Sequence, residues 1–392
     1  MPPDKMRSMK SNRAAHQHPR RILLAVTGLS PQIVTETLYA LALTREPAFI
    51  PTEVHLLTTA DGAKFARAAL LHPDGGQFQA LLKDYPRIGH PAFDDANIHV
   101  IVGPDGKPLA DIRTPAENAA AADAITSLVA KLTSDDSSAL HVSVAGGRKT
   151  MGFYLGYAFS LFARPQDCLS HVLVSAPFES HPEFFYPPQS PRRLATRDGS
   201  HIDTADAVVT LAEIPVVRLR HGLPIALQQG AASFNEAVAA IQASLGPPLL
   251  EIDLTAGRVS CGGRLVAMKP QLVAWLAWWA WLRKEQRGDG EGFVGWRSAS
   301  QADTQAFLAI YKALVGLHSG DFESTAKLLA SDMDKEFFQQ KNSKLERALR
   351  DTLGAAATAY SLAQSGTRPH TRRGLTLPSN AIRITGLPRN LP

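Results

Sequence analysis

The sequence predicts an α/β protein, with a mainly parallel sheet over 22–220 followed by a mainly α domain over 249–392. Three observations predict this. Short apolar runs alternate with helix-period stretches through the first half, the pattern of strand–helix–strand units. Those runs are continuous, as in strands buried on both faces. After about residue 249 the style changes to short paired strands and then long helical stretches.

The elements follow in order. Residues 1–21 lack periodicity and read as a disordered basic leader. The run 22–26 is the first strand, and Thr27-Gly-Leu-Ser-Pro31 turns it into a helix to about 43, with Ser30 at the N-cap and Pro31 first in the helix. Strands are expected at 54–58 and 98–102, with a helix from Asp61 to about 71 between them. An alanine-rich helix over 115–132 leads to a strand at 139–144. Gly146 and Gly147 open another helix to 162, and 171–175 is a fifth strand. The stretch 205–220 closes the domain, and 221–248 is a linker with one amphipathic helix. Short strands at 250–254, 258–261 and 265–267 precede a tryptophan-rich helix at 270–284. Helices resume over about 301–354, and two short strands flank a polar turn near 368–373.

Charge is informative by position. The chain of 392 residues carries net +5, yet residues 1–21 carry +5, residues 341–392 carry +7, and the 319 residues between sum to −7. Any polyanion-binding surface is therefore local. Two cysteines, Cys168 and Cys261, make neither a disulfide framework nor a four-ligand zinc site. No apolar run reaches the length of a membrane span, and the leader lacks the apolar segment of a secretory signal, so a cytoplasmic protein without a membrane partner is expected.

In a parallel sheet, ligands collect beyond the carboxyl ends of the strands. Two turns there are rich in chemistry: T-G-L-S-P-Q at 27–32 and S-V-A-G-G-R-K-T-M at 143–151. Each offers glycine backbone, a hydroxyl and a following helix N-terminus, the geometry that binds phosphate. The second adds Arg148 and Lys149, cations that oppose the helix dipole and are best explained by an anionic ligand. Known nucleotide motifs do not fit, since neither a P-loop nor G-x-G-x-x-G is present. No G-x-S-x-G elbow surrounds Ser30, and no His or Cys pattern suggests a metal; neither metal nor cofactor is expected.

The motifs T-G-L-S-P-Q-I-V-T-E-T-L at 27–38 and S-V-A-G-G-R-K-T-M-G at 143–152 resemble the CRISPR-associated Rossmann-like (CARF) domain. The resemblance is closest to a type III CRISPR family of ring nucleases, and 206–220 is also similar to that family. It covers about 22–220. It implies a homodimer whose paired turns bind a cyclic oligoadenylate, most often the four-membered ring, and cut it. Under this reading Lys149 stabilises the phosphorane, and Ser30 and Thr27 hydrogen-bond the scissile phosphate or the 2′-hydroxyl. The ligand surface comprises Gly28, Leu29, Pro31, Gln32, Ser143, Ala145, Gly146, Gly147, Arg148, Thr150 and Met151. No histidine lies in either turn, which disfavours two-histidine acid–base catalysis. The R-x₄₋₆-H mark of attached ribonuclease domains does not occur beyond residue 222.

The C-terminal part resembles a winged helix. It has a hairpin, a packed helix, a basic helix at 341–353 and a basic wing, with Lys341, Lys344, Arg347, Arg368, Arg372 and Arg373 as candidate DNA contacts. The other reading of the same residues is the solvated face of a dimerisation module. Trp275, Trp278 and Trp279 fall on one helical stripe and, with Trp281, read as core or as area buried between two C-terminal halves. Three functions stay open: a ring nuclease, a sensor that binds without cutting and controls DNA binding, and a nucleotide-binding structural protein outside CRISPR biology.

Overall fold

The first apolar run becomes strand β1 (Arg20–Val26), with Ile22, Leu23, Leu24, Ala25 and Val26 fully buried. The structure, a computed structural model, describes residues 13–392 except 180, 229–232, 290, 317–318, 331 and 368–369. The chain divides into two units, Met1–Arg220 with Leu227–Ala237, and His221–Ala226 with Val238–Pro392.

In the first unit the later strands are β2 (Glu53–Thr58), β3 (Ile98–Val100), β4 (Ser138–Ser143), β5 (Cys168–Val174), the hairpin β6 (Arg193–Ala195) and β7 (His201–Asp203), and β8 (Val209–Glu213). The main sheet has the order β3-β2-β1-β4-β5-β8, parallel throughout except for antiparallel β8. The predicted α/β class with a mainly parallel sheet is what the chain adopts. Its helices are α1 (Gln32–Tyr39), α2 (Ala60–Leu70), α3 (Gln77–Asp84), α4 (Pro115–Leu132) and α5 (Lys149–Phe162). The bounds of α4 follow from local chemistry. The Thr114 hydroxyl accepts from the Glu117 amide, the Glu117 carboxylate accepts from the Thr114 amide, and Pro115 takes the first position.

Topology places the site. From β1 the chain moves outward through β2 to β3, then returns to the opposite side of β1 as β4. Strand order reverses between β1 and β4, and a crevice forms at their carboxyl ends. Ala25 is in register with Ser143, so the two motif turns leave the sheet side by side.

Local expectations need correction. Residues 13–21 are structured: Ala15–Gln17 forms a 3₁₀ turn, His18 Nδ1 meets the Ser137 carbonyl at 3.1 Å, and Arg20 pairs with Glu53 at 2.6 Å. Residues 1–12 lie outside the described ones. Ser30 is not an N-cap, because α1 starts at Gln32 behind Pro31 without a side-chain cap. Helix α3 and the β6–β7 hairpin have no counterpart in the sequence reading.

Two helices, α6 (Ile225–Gln228) and α7 (Phe234–Leu245), precede the strands of the second unit. There β9 (Leu250–Asp253), β10 (Arg258–Cys261) and β11 (Arg264–Leu265) pair antiparallel. The helices are α8 (Pro270–Lys284), α9 (Gln301–Val315), α10 (Gly320–Leu328) and α11 (Lys335–Leu353). Hairpin β12 (Leu362–Ser365) and β13 (Arg372–Leu375) follows, and β14 (Ile382–Thr385) pairs parallel with β9. Every residue of α8 from Val273 to Leu282 is buried, so this helix is apolar all round and central. Trp275 packs edge-on against Phe307, Phe337 and Phe338, with ring centroids 5.2 to 5.6 Å apart. The expectation that this helix buries area against a second chain is overturned, because its tryptophans are the core of one chain.

Candidate functional site

The two turns meet through glycine. A Cβ on Gly146 would fall 2.7 Å from Ile33 Cδ1 and 3.1 Å from the Val26 carbonyl, so only glycine lets the second turn lie this close to the first. Gly147 has φ +85°, a conformation that L side chains rarely adopt, and the Cα of Gly147 is 3.6 Å from a Cβ built on Gly28. Both turns stand beyond the carboxyl ends of β1 and β4, with the first turn of α5 beside them.

Backbone donors dominate this surface. The amides of Gly146, Gly147, Lys149 and Thr150 have no acceptor among the described residues. Lys149 and Thr150 are exposed in the first turn of α5, where the aligned peptide dipoles add positive potential. Lys149 forms no ion pair among the described residues. Arg148 does: its Nε donates to Asp111 Oδ1 at 3.0 Å and its terminal nitrogen binds the other oxygen. Arg113 bonds the same carboxylate at 3.2 Å. Hydrogen bonding to Arg148, then to the Ile112 amide, holds Asp111 far below the ordinary carboxylate range. The expected pair of free cations is thus one free and one compensated.

Several expected ligand residues do other work. Thr27 is fully buried, and its hydroxyl donates to the Ser30 carbonyl at 2.7 Å, closing the turn instead of facing a ligand. Ser143 is buried with Oγ 3.1 Å from Thr37 Oγ1, and Met151 is buried against Gly147. Pro31 is buried, and its carbonyl accepts from the Val34 amide. At the surface are Leu29 and Ser30, with Gly28, Gln32, Ala145 and Gly146 half-buried. Gln32 Nε2 donates to the Pro182 carbonyl at 3.2 Å, which leaves Oε1 without a partner among the described residues.

Two carboxylates escaped the sequence reading. Asp111 lies 37 residues from Arg148 in an irregular loop, where spacing carries no signal. Glu36 is inside the first motif, one turn beyond Gln32, and it is 5% exposed. Burial, then the charge of Glu179, pushes it up to about 8, so it is mostly protonated at neutral pH. Among the described residues, the buried histidines of the sheet are neutralised or engaged elsewhere. His141 is buried on β4 against Ser170 Oγ at 2.7 Å and pushed down to about 3, and His55 and His99 stack on β2 and β3. Among the described residues no group of three His, Cys, Asp or Glu side chains converges as metal ligands.

A family model described as CRISPR-associated protein NE0113 matches residues 30–247, more than half of the chain. The chain belongs to this CRISPR-associated family. The match starts inside the first turn, contains the second, and runs past β8 into the residues after α7. No curated protein matches the chain. Most of the matched span lies in the unit that carries the paired turns. No described helix is long and apolar enough to cross a membrane.

The C-terminal candidates divide. Lys341 is buried, with Nζ on Gln271 Oε1 and over the Phe337 ring at 5.1 Å, so it faces the core and not a duplex. Arg372 pairs with Asp289 at 3.2 Å and Arg373 with Glu346 at 2.7 Å. Lys344 and Arg347 are exposed on α11 without an ion pair among the described residues. Arg368 lies outside the described residues.

Proposed function

We propose that this member of the family is a ring nuclease acting on cyclic oligoadenylate, with the four-membered ring as preferred substrate, in a type III CRISPR system. A 2′-oxygen attacks the adjacent phosphorus; its bond to phosphorus forms as the bond from phosphorus to the 5′-oxygen breaks. The 2′-hydroxyl proton ends on the departing 5′-oxygen, and the product carries a 2′,3′-cyclic phosphate. The protein holds the nucleophile in line and stabilises charge on the phosphorane, without a metal. In this reading Lys149 and the amides of Gly146 and Gly147 receive the phosphoryl oxygens, and Ser30 positions the 2′-hydroxyl. The observation that carries it is the juxtaposition of two glycine turns, open amides and one uncompensated lysine at the switch point.

A two-fold symmetric ring calls for two copies of each turn, so the active species is a homodimer. Leu29 at 61% and Phe153 at 63% exposure, one before and one after the catalytic residues, support a surface that another copy covers. Incubation with cyclic tri-, tetra- and hexa-adenylate in EDTA, with products read by mass, tests the proposal. Linear products ending in cyclic phosphate are expected. A ring left intact by stoichiometric protein overturns it.

The second reading is a sensor that binds the ring without cutting and controls DNA contact through Lys344 and Arg347. It is favoured by the burial of Thr27 and the pairing of Arg148, which reduce the side chains available for catalysis to Ser30 and Lys149.

A further inference from the structure

A cleft of about 740 Å³ opens in the second unit between α11, the β12–β13 hairpin and the loop 294–297. Its floor holds a donor whose direction is fixed. Asn342 lines the cleft at 6% exposure. The Trp275 indole N–H donates to Asn342 Oδ1 at 2.9 Å. An indole nitrogen can only donate, so the amide orientation is set and Nδ2 is left as donor. That Nδ2 has no acceptor among the described residues, and it is not sealed from the cleft.

The walls have a matching character. Lys335 and Arg297 line the cleft, are exposed, and form no ion pair among the described residues, whereas Arg373 and Glu346 cancel each other. Trp296 is the one tryptophan of five outside α8; it is half-buried, with the Arg297 guanidinium over its ring at 4.9 Å. An oriented donor, two unpaired cations and an aromatic face beside a guanidinium fit an anion joined to a flat ring.

We propose that this cleft binds a nucleoside phosphate, with its phosphate on Lys335 and Arg297, an acceptor oxygen on Asn342 Nδ2, and its base against Trp296. The site is independent of the ring-cleaving reading, since it lies wholly in the second unit. A free mononucleotide and the end of a single strand present the same chemistry. Duplex DNA does not, because its bases are already stacked on one another.

The test uses the full chain at low salt, with AMP, a labelled single-stranded oligoadenylate of about 10 nucleotides, and a duplex of similar length. Anisotropy reads the two labelled strands and titration calorimetry reads AMP. AMP binding assigns the free nucleotide, and binding of the single strand alone assigns a strand end; both support the site. Trp296→Ala is expected to weaken the bound probe about tenfold or more. Lys335→Gln, at an exposed position that leaves folding intact, is expected to weaken it by about threefold. Lys149→Ala is expected to leave it unchanged. No binding of AMP or single strand at millimolar concentration, affinities unchanged in both cleft variants, or tighter binding of the duplex would each overturn the proposal.

Discussion

The paired turns of the first unit and the basic surface of the second both draw attention by their cations, yet they are built differently. The turns are a backbone site: Gly146 and Gly147 bring amides forward, and Lys149 is the cation left uncompensated. The second unit is a side-chain site resting on an aromatic core, where Asn342 is oriented by Trp275. In each region adjacent or nearby cations have opposite fates. Arg148 is neutralised by Asp111 while Lys149 is free; Lys341 turns inward while Lys344 points out. A cation signals a binding surface by the carboxylates near it in space, and counting charge along the chain does not reveal those.

The largest expected effect tests the core beneath the side-chain site. Trp275→Ala removes a fully buried ring packed against three phenylalanines and should cost about 3–5 kcal/mol in denaturant unfolding. A subtler contrast sharpens it. The Trp278 and Trp279 indole nitrogens are buried without partners among the described residues, whereas Trp275 has Asn342. Trp275→Phe should therefore destabilise more than Trp278→Phe by about 1–3 kcal/mol, the cost of stranding the Asn342 acceptor. Equal costs would show that the indole–amide bond does not hold the cleft floor.

Next comes the backbone site. Lys149→Ala should slow ring cleavage by about a hundredfold or more under single-turnover conditions, the scale for losing one electrostatic donor to a transition state. Ser30→Ala should slow cleavage with a smaller loss of binding. Thr27→Ala should weaken both together, because Thr27 acts through the turn that it closes. A Lys149→Ala protein that cuts at the wild-type rate would remove Lys149 from the mechanism.

Legibility in the sequence followed the range of the forces involved. Strands β1, β2 and β4 were readable as apolar runs, because burial on both faces writes itself into consecutive residues. Helix α4 was readable from 115 to 132 as an alanine-rich stretch that opens on Pro115. Both turns were found because glycines, hydroxyls and cations cluster within a few residues. Strand β14 was missed: its partner β9 is more than a hundred residues earlier, and Ile-Arg-Ile-Thr is short and half polar. The roles of Thr27, Ser143 and Lys341 were misread for a related reason. A hydroxyl or ammonium reads the same whether it faces solvent or its own fold, and only the tertiary partner, Ser30, Thr37 or Gln271, decides.

Glu36 distinguishes the units by pH. Its folded-state value of about 8 lies above the ordinary 4.5, so between these limits the folded chain keeps a proton that the unfolded chain has lost. Stability contributed by that proton is full below the lower limit and falls as pH rises through the window, with no further change above it. Glu36→Gln keeps the shape and cannot ionise. It should raise the melting temperature of the first unit at about pH 9 and leave it nearly unchanged at about pH 4. A variant that melts like the wild type at both values would show that Glu36 ionises freely in the folded chain.

The smallest expected effect addresses the compensated cation itself. Asp111 binds Arg148 in a partly exposed pair, with side chains 24% and 55% accessible, and solvent screening keeps the stability contribution of such pairs small. Asp111→Asn preserves the shape and hydrogen-bonding oxygen while removing the charge that offsets Arg148. Arg148 and Arg113, which share that carboxylate, then join Lys149 as uncompensated cations facing an anionic ring. Binding of cyclic tetra-adenylate should tighten by up to about fivefold at low ionic strength, and the gain should vanish near 1 M salt, where the screening length falls to about 3 Å. Cleavage at saturating ring should change little, since Lys149 and the turn amides are untouched. If Asp111→Asn instead weakens binding at every salt concentration, the carboxylate holds Arg148 in its working position, and the two cations act as a pair after all.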